Sequence, residues 1–132
     1  MYKLITSIVA TLCMALISYT AIAEGSTVYE LRTYTTNEGK LDDLQARFRN
    51  HTLGLFEKHG IKNIGYWVPT DKANTLTYLV EHSSKAAAES SWKAFVADPA
   101  WRKVYADAIA NGKLVSNIDS TFMAATDYSP MK

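Results

Sequence analysis

The stretch NIGYWVPTDKANTLTYLVEH, residues 63–82, decides the fold. Two runs rich in aromatic and β-branched residues, 63–69 and 75–82, flank Pro69 and the turn cluster Thr70-Asp71-Lys72-Ala73-Asn74. Such a pattern reads as an antiparallel hairpin. Within the first run Gly65 and Trp67 are two apart, so they share one face of the strand. A glycine inside a strand often marks a close approach to the backbone. Either a packed side chain such as Phe48 fills the space over Gly65, or a ligand does.

Outward from the hairpin, both flanks turn helical. Upstream, Leu41, Leu44, Phe48 and Leu55 recur at helical spacing between Lys40 and His59. Asn37 is placed to cap this helix and Gly60 to end it. Asp42 and Asp43 in the first turn and Lys58 in the last complement the helix dipole. Downstream, Ser83 or Ser84 can cap a second helix carrying Ala88, Trp92 and Phe95. Asp98-Pro99 breaks and restarts it, with aspartate at the cap and proline at the first helical position. Asn111-Gly112 stops the restarted helix. STVYELRTYTT (26–36) predicts a first strand over about Val28–Tyr34, and SNIDSTFMAAT (116–126) a last one. The order is β-α-β-β-α-β, the split βαβ, ferredoxin-like α+β pattern. Helices then cover one face of an antiparallel sheet. The other face also carries bulky residues, which a second copy of the chain could cover.

The first 23 residues are of another kind. MYKLITSIVATLCMALISYTAIA has one charge, Lys3, then an apolar run, then Ala21-Ile22-Ala23. This predicts a signal peptide over 1–23 cleaved near Ala23, a mature domain over 24–132, and a periplasmic or secreted location without a membrane anchor after cleavage. The competing reading is a retained anchor, but Thr6, Ser7, Thr11, Ser18 and Thr20 dilute the run. Cleavage removes Cys13, the one cysteine, and with it any disulfide or thiolate chemistry. The chain holds 14 Lys and Arg against 13 Asp and Glu, so losing Lys3 leaves it neutral. A neutral chain with no basic cluster lacks the footprint of a nucleic-acid binder.

VYELRTYTTNEGKLDDL (28–44), FEKHGIKNIGYWVP (56–69) and FVADPAWRKV (95–104) together resemble the NIPSNAP-domain family. The resemblance runs from about Val28 to Thr126. It implies a dimeric α/β barrel in which two ferredoxin-like sheets close face to face, helices outside. Its wider fold group includes cofactor-independent monooxygenases, isomerase-like enzymes and haem-binding proteins. The family itself has no agreed reaction, so kinship in fold is only an associational warrant for chemistry.

Among candidate site residues, His51 lies on the line 41, 44, 48, 51, 55 and is expected to face the sheet, as a general base or as a core histidine satisfied by a neighbour. Glu30 and Arg32 share a strand face and form either a ligand-binding pair or a salt bridge, in the core or at a dimer interface. Trp67, Gly65 and Tyr29 would wall an apolar cleft between sheet and helices, with His51 as its polar anchor. Trp92 and Trp101 read as core anchors. No metal site is expected: His51 and His59 are eight helical residues, roughly 12 Å, apart, and one ion cannot reach both. No cofactor is expected either, because no Gly-rich phosphate loop, nucleophile elbow or zinc motif occurs. The sequence supports an exported protein binding a small apolar molecule; the resemblance implies a homodimer and, if it is an enzyme, cofactor-free oxygenase- or isomerase-like chemistry. A non-catalytic interaction protein and a haem binder with one axial histidine are the alternatives.

Overall fold

The computed structural model describes residues 25–132. The expected signal peptide, 1–23, lies outside them. Strand β1 (Val28–Thr36) leads to helix α1 (Leu41–Arg47), which passes through a π turn (Phe48–Thr52) into α2 (Leu53–Lys58). The hairpin follows as β2 (Lys62–Trp67) and β3 (Thr75–His82). Helices α3 (Lys85–Ala97) and α4 (Pro99–Ala108) then lead to β4 (Val115–Met123). The strands lie in the order β2-β3-β1-β4 and every pair is antiparallel. This is the ferredoxin-like α+β arrangement, with the helices on one face.

Local chemistry explains most boundaries. The Ser84 hydroxyl accepts from the Ala87 amide at the start of α3. At the break between α3 and α4, the Asp98 carboxylate accepts from the Ala100 amide, from Lys58 Nζ at 2.7 Å and from His59 Nε2 at 2.7 Å. One side chain thus caps α4 and pins it to the end of α2. Hydrogen bonds from Lys58, His59 and the backbone hold its carboxyl well below the usual range. Asn37 does not cap α1. Its amide donates to the Lys113 carbonyl and ties the β1 turn to the entry of β4.

On the helix face the core gathers Tyr34, Leu44, Phe48, Phe56, Leu76, Tyr78, Val80 and Phe95. Tyr78 lies at its centre, stacked on Tyr66 at 5.1 Å and meeting Phe48 at 5.2 Å.

The π turn corrects the expected helix phase. The expected stripe ran through 48, 51 and 55; the buried positions are Phe48, Thr52 and Phe56. A π turn takes up one extra residue, so every position beyond Phe48 is rotated by about one residue, roughly 100°. Thr52 replaces His51 against the sheet, and its hydroxyl donates to the Arg47 carbonyl five residues back. His51 is exposed.

Gly65 and Trp67 do share a face, but it is the one opposite the helices. Tyr66 turns inward, while Gly65 pairs with Leu79 and Trp67 with Thr77. A β-bulge at Ile64 sets this phase, since Asn63 and Gly65 oppose the consecutive residues Val80 and Leu79. A Cβ on Gly65 would collide with the six-membered ring of Trp67. The indole itself lies over the bare backbone, and neither Phe48 nor a cleft occupies that space.

Beneath α3 a single carboxylate joins three strands to a helix. Glu30, 1% exposed, accepts from Arg32 Nη1 (2.6 Å), Ser120 Oγ (2.7 Å), His82 Nε2 (2.9 Å) and Trp92 Nε1 (2.6 Å). The partners come from β1, β4, β3 and α3. Burial alone would raise the Glu30 pKa, but the four donors outweigh it and bring it down to about 2. His82 Nδ1 has no partner and is buried, so the ring is held through Nε2 alone.

Two outcomes follow from this packing. The folded pKa of Glu30 is below its unfolded value, so its contribution is complete above about pH 4.5 and is lost as pH falls toward 2. Glu30→Gln leaves Arg32 without its counter-charge and is expected to cost about 3–5 kcal/mol at neutral pH. In thermal unfolding from pH 7 to 2, the gap between wild type and Glu30→Gln should narrow with acid; a constant gap would refute the assignment. Gly65→Ala should lift the Trp67 indole and shift its Nε1–H resonance. Stability should change by no more than about 1 kcal/mol, because alanine regains the backbone entropy that glycine loses.

Candidate functional site

The residues singled out in the sequence separate into three places. Glu30 and Arg32 lie under the helices, joined as an ion pair at 2.6 Å. The Arg32 guanidinium also stacks over the Trp92 ring at 4.4 Å. Tyr29, Gly65 and Trp67 lie on the opposite sheet face. There Tyr29 is buried beneath the chain's end, beside Leu79, Met123 and Met131, in a recess of about 270 Å³. Trp67 is 55% exposed. His51 lies on the outer side of the first helix. The expected cleft of His51 with Trp67 and Tyr29 therefore does not assemble, because the π turn rotates the histidine away and the bulge turns the tryptophan away.

His51 instead meets a groove between the α1–π segment and α4. The groove encloses about 500 Å³. Ala46, Val104 and Ala108 make its apolar wall, and Asn50, His51 and Asn111 its polar rim. The π turn aims Asn50 and His51 here; single π turns recur at functional sites. On the other wall, α4 buries none of its residues completely, so the two helices leave room between them. Asp43, Lys103 and Asp107 stand at the mouth. Lys103 pairs with Asp107 at 2.6 Å and Asp43 with the half-buried Lys40 at 3.6 Å, both carboxylates facing solvent.

Arg47 also lines the groove, and the sequence reading passed over it. It is 7% exposed and is the last residue of α1. Its position was legible, since 47 is three residues after Leu44 and four before His51, in the middle of an apolar stripe. The guanidinium lies 5.0 Å from the Trp101 ring centre and 5.6 Å from that of Phe48. Burial lowers its pKa, opposed by the nearby hydroxyls of Tyr34, Tyr78 and Tyr105. Trp101 is held in turn by Phe95, at 4.4 Å.

Comparison with known proteins agrees with this architecture. Residues 29–130 match the NIPSNAP family. A NIPSNAP family protein of unknown function from Agrobacterium tumefaciens is 19% identical, with 81% of this chain and 95% of that one covered and a TM-score of 0.71. An uncharacterized NIPSNAP-like domain protein from Burkholderia xenovorans is 15% identical, covering 79% and 89% of the two chains at a TM-score of 0.69. SnoaB, a cofactor-independent oxygenase from Streptomyces nogalater, shares the fold at 17% identity, 80% and 99% coverage and a TM-score of 0.58. The search of curated proteins gives no match. Over most of its length, from the β1 strand to the segment after β4, the chain belongs to the NIPSNAP family.

Proposed function

We propose that this protein binds a small, partly apolar molecule in the groove between the α1–π segment and α4, with His51 as its polar contact. The observation that carries this reading is the π turn, which takes His51 off the sheet and sets it on the wall of a groove of about 500 Å³. That volume falls within the range of small-molecule sites, and the mix of an apolar wall with a few polar groups is typical of them. Histidine is the side-chain type best suited to move a proton near neutral pH. If the protein is an enzyme, the reaction is therefore proton abstraction from an acidic C–H or phenol, His51 acting as base. The fold shared with SnoaB supports chemistry of that cofactor-free kind by analogy. Export, with cleavage near Ala23, belongs to the same reading and rests on residues 1–23 of the sequence. Intact protein in native mass spectra should carry a discrete added mass. His51→Ala should weaken its retention by about tenfold, the worth of one hydrogen bond. Retention unchanged by the substitution would overturn the assignment of His51.

A second reading is supported by the sheet face opposite the helices. Leu31, Leu79 and Trp67 lie there without helical cover, and an apolar sheet face is stable only when something packs on it. A second copy in face-to-face packing would cover it and make the protein a homodimer. Trp67→Glu should then shift the sedimenting species from dimer to monomer; a wild type that sediments as a monomer would exclude this reading.

A further inference from the structure

Arg47 is a buried cation without an anion. Its guanidinium forms no hydrogen bond or ion pair with any described residue, and its Nε is buried and unpartnered. Removing a charge from water is costly unless a partner replaces the lost solvation. The aromatic rings of Trp101 and Phe48 offset only part of this, as a cation over a ring face is a weaker interaction than an ion pair in the interior. The three hydroxyls around it belong to Tyr34, Tyr78 and Tyr105, and Tyr78 is held strongly toward its neutral form by burial. The acids nearest the groove do not serve as counter-ions. Asp43 and Asp107 point to solvent and are engaged by Lys40 and Lys103. Arg32, by contrast, has its charge neutralised at 2.6 Å by Glu30. The same residue type is thus held in two ways in one domain, paired in the core and unpaired beside the groove.

We infer that Arg47 is the anion-recognition residue of the groove and that the ligand is a small carboxylic acid, its carboxylate seated on the guanidinium and its apolar part against Ala46, Val104 and Ala108. A planar fork of N–H donors matches a carboxylate two-to-two, which no ammonium does. Trp101, packed on Phe95 and 5.0 Å from the guanidinium, backs Arg47 and holds it in place for the carboxylate. This inference rests on the groove being a binding site and goes further by naming the charge and class of what it takes.

The test uses benzoate and its neutral isostere benzamide as probes, titrated into the protein and followed by NMR at the Arg47 Nε–H and Trp101 Nε1–H resonances. Benzoate at about 10 mM, enough to fill a millimolar site, should move both. Benzamide should bind at least about tenfold more weakly, the loss expected when a charged partner becomes neutral. Arg47→Met should abolish the benzoate response without lowering thermal stability, because it removes an unpaired buried charge and keeps an apolar stem. If Arg47→Met fails to fold, Arg47→Lys takes its place: it retains the charge, loses the fork and should weaken benzoate relative to wild type. Failure of benzoate to move either resonance overturns the inference. So does an equal response to both probes, but that outcome leaves the groove standing as a binding site. Loss of the benzamide response as well would count against the groove itself.

Discussion

The Glu30 carboxylate is the interaction on which the rest of the structure depends. It is an acid inside the domain, and burial of an ion is unfavourable unless its lone pairs are filled. Four donors fill them, and they come from three different strands and one helix. The network therefore does more than neutralise Arg32. Ser120 sets the register of β4 on β1, where the exposed pattern of β4 offers little packing to do so. His82 holds the end of β3, and the Trp92 indole fixes the rotation of α3 about its axis. A helix rotated by one residue would withdraw the indole N–H and leave the carboxylate short of a donor. The cost of that error is of the kind that makes buried polar networks specify one arrangement.

A second constraint acts in the opposite direction on the first helix. Leu44, Phe48 and Phe56 must all reach the Tyr78 cluster, but an uninterrupted α-helix cannot bring 48 and 56 to the same meridian with Thr52 between them and keep the chain on course for Gly60. The π turn solves this by taking up one residue. Its consequence is that Arg47 remains inside while Asn50 and His51 turn outward toward α4. Core packing and groove are thus two results of one local irregularity.

These particulars show what could be read from the sequence. The hairpin, the caps at Ser84 and Asp98, and the order of elements rest on local signals: turn residues, side-chain hydrogen bonds to nearby amides, and periodicity. Each of them survives in the structure. The sharing of one face by Gly65 and Trp67 is also local and holds. Which face it is does not follow from alternation, because the bulge at Ile64 is needed to phase β2 against β3, and no residue type announces it. The placement of His51 fails for the same reason. Helical spacing assumes 3.6 residues per turn throughout, and one π turn breaks the count for everything after Phe48. Arg47 was legible as a charge on an apolar stripe, but its lack of a counter-ion is a fact of tertiary structure. Glu30 and Arg32 show the converse. Their pairing was one of the readings offered by their spacing, whereas His82, Trp92 and Ser120 come from 52, 62 and 90 residues away.

The contrast between the two arginines bears on how such a domain divides its work. Arg32 has its charge neutralised internally by Glu30, and the carboxylate that receives it is saturated by four donors. Arg47 has the same chemistry and comparable burial, and its Nε is likewise unpartnered, but no described acid faces it. A buried guanidinium left open destabilises the domain by itself, and a substitution to an apolar residue of similar length would relieve that cost. An anion supplied from outside the chain would offset that cost, which is the role inferred for it above. The saturated Glu30 network leaves no such need, so in this fold the unbalanced charge lies beside the groove and not beneath the helices.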